Sequence, residues 1–210
     1  MTTTEQCSKL VKEVYASFDA SHDFEHIQRV LATARAIAET EPTANEKIIE
    51  LAVLLHDVSD AKYATSKDIE ATILAQLLLS DDEQQQVKET IAAVSYRGGY
   101  ELEATTIEMK IVRDADRLDA LGAIGIARAF IFGGAHGSLI YNDDDEETHT
   151  YESEEAYRAK DSAVVTHFHE KLLKLKDLMT TAYGKKLASQ RHKFMVQFLQ
   201  QLSAEREGKI

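Results

Sequence analysis

A single proline, Pro42, interrupts a chain of 210 residues, and only nine glycines accompany it. These two residue types are the strongest helix breakers, so long stretches are able to run as helix. Apolar residues recur at steps of three and four, and no useful length alternates apolar with polar as a half-buried strand would. The expected fold class is all-α, a helical bundle with additional C-terminal helices. The length suits one domain over 1–210, with a loop at about 133–150 and C-terminal helices at about 153–207.

The periodicity predicts a first helix over about Thr4 to Phe18 and a second from near Asp23, which carries Ile27, Val30, Leu31, Ala34, Ile37 and Ala38 inward. Pro42 and Asn45 punctuate the chain before a third helix, about Glu46 to His56. A fourth is expected over about Lys67 to Leu79. Ser80-Asp81-Asp82-Glu83 has capping-box spacing and opens a fifth that ends near Ser95. Gly98-Gly99 reads as a loop, Thr105 to Leu118 as a sixth helix, and an Ala-rich seventh runs to about Phe132. Gly133-Gly134 through Thr150 reads as a long loop. Val165, Phe168, Leu172, Leu175 and Met179 form a helical seam, continued by Phe194, Phe198 and Leu202 in a last helix after Gly184. That seam fits a cap on the bundle or a homodimer contact.

Composition removes several classes of function. Cys7 is the only cysteine, which rules out an internal disulfide or a thiolate metal cluster and fits a reducing, cytoplasmic setting. Met1 to Leu10 lacks the basic-then-apolar signal pattern. The most apolar stretch, Leu121 to Phe132, is short and holds Arg128, so it reads as a core helix and no membrane span is expected. A net charge of −12 argues against a nucleic-acid partner, which needs a basic footprint. Much of that charge lies in the block Asp143, Asp144, Asp145, Glu146, Glu147, Glu152, Glu154 and Glu155. Such a run is usually a solvated loop; a lid or a second cation site is the sharper alternative.

Chemistry concentrates in three places. The apolar run Leu51-Ala52-Val53-Leu54-Leu55 ends on His56-Asp57. Upstream lies His22-Asp23-Phe24-Glu25-His26-Ile27-Gln28-Arg29-Val30, and downstream lies Asp114-Ala115-Asp116-Arg117-Leu118-Asp119. His26 borders the buried face of its helix, and Asp116 follows Val112 by one turn. Adjacent residues diverge by about 100° on a helix, yet at a helix end both His56 and Asp57 can turn toward one cation. An unpaired charge beside an apolar stripe is costly, and a divalent ion would remove that cost. Two histidines and two aspartates make a mixed nitrogen and oxygen site. Alone, a His-Asp dipeptide is expected about once by chance in such a chain, and His56 alone would read as a satisfied core histidine. The whole set points to metal.

The order and spacing of these segments, together with His56-Asp57-Val58-Ser59-Asp60-Ala61-Lys62-Tyr63 and Asp114 through Arg128, resemble the HD-domain superfamily of metal-dependent phosphohydrolases, in its branch of small stand-alone bacterial proteins. The resemblance covers about residues 20–135. It implies that His26, His56, Asp57 and Asp116 bind one divalent ion, with Mn2+ or Mg2+ favoured and Ni2+, Zn2+, Fe2+ or Co2+ also compatible. Such an ion binds a phosphoryl oxygen and lowers the pKa of a bound water. Asp60 is the first candidate for proton transfer, since it lies where related nucleotidases and stringent-response hydrolases place a Glu; its shorter side chain fits a turn-capping role equally. His22, one helical turn before His26, would act on a proton or contact phosphate, against a simple helix-start role. Lys62, Arg97 and Arg117 are candidate phosphate clamps, each otherwise an ordinary surface or salt-bridge residue. Asp119 is expected to orient a neighbouring ligand or Arg117. His136, His149, His167, His169 and His192 stay outside the expected site.

The resemblance implies a hydrolase of a small nucleotide-like phosphate, with nucleoside triphosphate pyrophosphohydrolase ahead of 5′-nucleotidase or phosphodiesterase. A nucleotide- or metal-sensing module without turnover is the second class. A scaffold stabilised by its ion is the third, although a core of this size should not need metal to fold.

Overall fold

The structure, a computed structural model, describes residues 1–18, 23–59, 68–94, 102–142 and 163–210. Among these residues there are nine α-helices, one 3₁₀-helix and no strand, so the fold is all-α. In chain order they are α1 (Thr3–Tyr15), α2 (Phe24–Ala38), α3 (Glu46–Leu55), α4 (Ile69–Leu74), α5 (Asp81–Ala92), α6 (Ile107–Asp119), α7 (Gly122–Ala135), α8 (Val164–Glu170), the 3₁₀-helix (Leu172–Leu178) and α9 (Ala182–Arg206). The described residues through Asp116 form one compact unit and those from Arg117 onward form another.

In the first unit α3 is the central element. Ile48, Ile49 and all of Leu51 through Leu55 are buried, and a helix that is apolar on every side must be enclosed. It packs against α1, α2 and α5. Asn45 starts it, with its side chain accepting from the Ile48 N–H, while the Asn45 N–H donates to Glu108 Oε1 of α6 at 2.9 Å. The predicted capping box at Ser80 and Glu83 is present, and Thr2 with Glu5 forms a second at α1 that the sequence reading did not single out. Arg113 is largely buried; its Nε donates to the Ala93 carbonyl at 2.7 Å and its Nη2 to the Leu102 carbonyl. Cys7 is fully buried, and burial pushes its thiol up to about 12, so it is an inert core residue.

Helix α4 is shorter than the expected 67–79. Its ladder ends after Ala75, and the freed Gln76 carbonyl accepts instead from Gln6 Nε2 at 3.0 Å. Leu77 still returns to the core while Leu78 is exposed.

In the second unit α9 packs on α7 and on the 3₁₀-helix, and α8 packs on both. Two expectations are corrected here. The glycine pair Gly133-Gly134 does not break α7, which continues to Ala135. A Cβ on Gly133 would lie 2.4 Å from Val164 Cγ2, so this glycine permits close packing of α8 rather than a turn. The helix is closed beyond its cap residue His136 by Gly137, whose φ of +72° completes a Schellman motif in which the Ser138 N–H donates to the Gly133 carbonyl at 2.9 Å. The seam from Val165 to Met179 is buried throughout, but it is a short α-helix followed by 3₁₀ turns, broken at Lys171. Steps of three and four are met by either geometry, because i and i+3 eclipse in a 3₁₀-helix. Phe168 joins Phe130 and Phe198 in an aromatic cluster with centroid separations of 6.2, 5.9 and 6.4 Å.

Candidate metal centre

Local chemistry puts each donor in place. The Asp23 carboxylate caps α2 by accepting from the His26 N–H at 3.0 Å, which fixes the first turn and the ring it carries. At the other end of the site α3 stops at Leu55, and the chain turns through His56 and Asp57 with the Val58 N–H reaching back to the Leu55 carbonyl. The His56 ring turns back as well, with Nδ1 2.8 Å from the Val53 carbonyl. A carbonyl only accepts, so Nδ1 carries the proton and neutral His56 presents the lone pair of Nε2. The third donor segment is α6, where Asp116 lies one turn beyond buried Val112.

These segments bring four atoms together. His26 Nε2 is 3.7 Å from Asp57 Oδ2 and 3.6 Å from Asp116 Oδ1. His56 Nε2 is 3.4 Å from Asp57 Oδ2 and 3.7 Å from Asp116 Oδ1. Such separations are too long for good hydrogen bonds, and among the described residues His56 Nε2 is buried with no hydrogen-bond partner. They suit donors around a shared centre: atoms about 2.1 Å from an ion and arranged tetrahedrally lie about 3.4 Å apart. One donor each from His26, His56 and Asp57 falls within 4.8 Å of the others, so this group can hold a metal ion. The donor set of neutral imidazoles and carboxylates fits a divalent cation.

The site has a direction. The imidazole side chains are 1% and 3% exposed, while Asp57 is 18% and Asp116 28% exposed. The imidazoles are buried and the carboxylates are partly exposed. Burial by itself would push the His56 imidazole down, but the Asp57 and Asp116 carboxylates beside it carry it up to about 9 in the metal-free protein.

Of the other expected residues, Asp60, His22, Lys62 and Arg97 lie outside the described residues, as do His149 and the acidic block 143–155. Arg117 is 5% exposed, and its Nη1 donates to the Leu178 carbonyl at 3.0 Å. Asp119 is an ion-pair partner of Arg128 Nη1 at 3.0 Å, a contact the sequence did not reveal. His136 stacks on Phe132 in α7 with its Nδ1 on the Phe132 carbonyl. Two residues near the centre were missed. Asp23 is legible as the residue near which the second helix starts, but its cap on the His26 N–H is not. Tyr15 carries no signal of its own in the sequence beyond lying in the first helix, yet it is fully buried with its hydroxyl donating to the Leu54 carbonyl at 3.2 Å.

Comparison with known proteins supplies the family. The HD domain family model matches residues 23–121, which span all four donors. The uncharacterized protein YpgQ of Bacillus subtilis is 37% identical over 210 residues, covering 97% of this chain and 94% of YpgQ. A solved YpgQ structure in complex with ADP superposes with a TM-score of 0.76 at 35% identity, covering 96% of this chain and 97% of that one. A Lactobacillus plantarum protein superposes at 0.87 with 32% identity, covering 98% and 97%. An HD-superfamily hydrolase from Bacillus thuringiensis gives 0.72 with 38% identity, covering 97% and 96%. Among the described residues no single helix is long and apolar enough to cross a membrane. With the donors converging inside the matched segment and full-length likeness to these proteins, the chain belongs to the HD-domain family of phosphohydrolases.

Proposed function

We propose that this chain hydrolyses a phosphate bond in a nucleotide, with one divalent ion held by His26, His56, Asp57 and Asp116, and that its preferred reaction converts a nucleoside triphosphate to monophosphate and pyrophosphate. The observation that carries the reading is the convergence of the two Nε2 atoms with Asp57 Oδ2 and Asp116 Oδ1 at 3.4 to 3.7 Å. The nucleotide class is supported by YpgQ, a relative of full length whose structure holds ADP.

When bound, the ion supplies Lewis acidity at a phosphoryl oxygen and lowers the pKa of water. Mn2+ or Mg2+ is the proposed ion for activity, because phosphate and carboxylate oxygens are hard donors; the two imidazoles also suit Ni2+ or Zn2+. The chain's own contributions are specific. The Val53 carbonyl holds His56 in the tautomer whose Nε2 is a free lone pair. Asp57 and Asp116, on the exposed side, define where substrate approaches. Asp60 and His22 are proposed to hold or move the proton. Lys62 and Arg97 are proposed to grip phosphate oxygens; Arg117, buried with its Nη1 on the Leu178 carbonyl, would have to leave that contact to join them, and Asp119 is proposed to order Arg128 and the end of α6. We place the protein in the cytoplasm, as a homodimer without nucleic-acid or membrane partners.

The test is a panel of nucleoside mono-, di- and triphosphates with Mn2+, run beside Asp57→Ala, with phosphate and pyrophosphate resolved. The reading expects pyrophosphate from triphosphates and a loss of turnover in the variant. Phosphate from monophosphates would make it a nucleotidase. Bound metal and bound nucleotide with no product would make it a sensor.

A further inference from the structure

Where α3 ends, its last carbonyls lose their helical partners, and an orphan acceptor in a buried place must be satisfied by another group. The Val53 carbonyl is taken by His56 Nδ1 and the Leu55 carbonyl by the Val58 N–H. The carbonyl between them, Leu54, is taken from outside the helix. Tyr15, the last residue of α1, donates its hydroxyl to it at 3.2 Å across a separation of 39 residues. The ring is 1% exposed and is packed edge-on by Phe18, with centroids 5.1 Å apart. Burial, with the Asp57 and Asp116 carboxylates nearby, raises the pKa of the phenol well above its ordinary value, so the hydroxyl remains a neutral donor.

We infer that Tyr15 is a positioning residue for the metal centre: its hydroxyl ties the Leu54 carbonyl, two residues before His56, and thereby fixes the turn that presents His56 and Asp57. A phenylalanine would fill the same space and lose only that tie. The inference rests on the reading of His56 and Asp57 as metal ligands.

The test compares Mn2+ affinity, by titration of the metal-stripped full chain, in wild type, Tyr15→Phe and Val11→Ala. Val11 is buried on the same helix, so its truncation reports general loosening of α1. The dissociation constant is expected to rise about tenfold in Tyr15→Phe, as for loss of a group that orients a metal ligand, and to stay within about twofold of wild type in Val11→Ala. Equal affinity in Tyr15→Phe and wild type overturns the inference, as does an equal loss in both variants. Wild type that binds no Mn2+ would instead overturn the metal reading itself.

Discussion

His56 is held to Val53 by a 2.8 Å hydrogen bond between Nδ1 and the carbonyl three residues earlier, so the residue that ends α3 also uses that helix to orient its own ring. The consequence is that Nε2, and no other atom of the ring, faces Asp57 and Asp116. A binding nitrogen fixed this way must lose any proton it carries before it can take an ion.

That requirement makes metal affinity depend on pH. Asp57 and Asp116 hold His56 up to about 9 in the absence of metal, against an ordinary 6.5. Because the folded value is raised, the charged ring stabilises the metal-free protein fully below about 6.5 and that stabilisation is lost as pH rises through about 9, an effect on the order of 3 kcal/mol at most. Metal binding runs the other way, gaining about tenfold per pH unit below 9 as one proton is displaced. Thermal unfolding and Mn2+ titration from pH 6 to 10 should therefore show metal-free stability falling while affinity climbs to a plateau. Affinity independent of pH between 7 and 9 would contradict the proton count.

Asp23 contributes through the backbone. Replacing it with alanine removes the acceptor for the His26 N–H and is expected to cost about 1 kcal/mol, or a few degrees in Tm, with a weaker Mn2+ affinity because His26 lies in that first turn. Asp23→Asn keeps the cap and should lie close to wild type. Denaturation and metal titration of both variants check this.

The second unit depends on its aromatic cluster. Phe168 is fully buried between Phe130 and Phe198. Phe168→Ala should lower stability by about 3–5 kcal/mol in chemical denaturation.

Two glycines of α7 should respond oppositely. At Gly125 a Cβ would sit 2.2 Å from the Ala120 carbonyl oxygen, whereas at Gly134 nothing lies within 4 Å. Gly125→Ala is expected to lose about 2 kcal/mol or more. Gly134→Ala should raise stability by roughly 0.5–1 kcal/mol through helix propensity. Melting curves of the pair decide it.

The helical class and the capping box at Ser80 are legible, because periodicity and a few punctuating residues carry that information along the chain, and the candidate set His26, His56, Asp57 and Asp116 is one that the structure brings together. What remained hidden depends on contacts distant in sequence. Gly133 reads as a break until Val164 is known to pack against it. The Val165–Met179 seam fits two kinds of helix equally, and the spacing cannot choose. Tyr15 looks like any apolar-stripe aromatic until Leu54, 39 residues on, is found to need a donor. The Arg128–Asp119 pair is likewise set by how α7 returns past the end of α6.

The measurement closest to the central claim is the Mn2+ stoichiometry of the chain after chelation and reloading, in wild type and in Asp57→Ala. The account predicts one ion per wild-type chain and an affinity at least about 100-fold weaker in the variant. Wild type that takes up no ion, or a variant that binds as tightly as wild type, would contradict a metal centre built on His26, His56, Asp57 and Asp116.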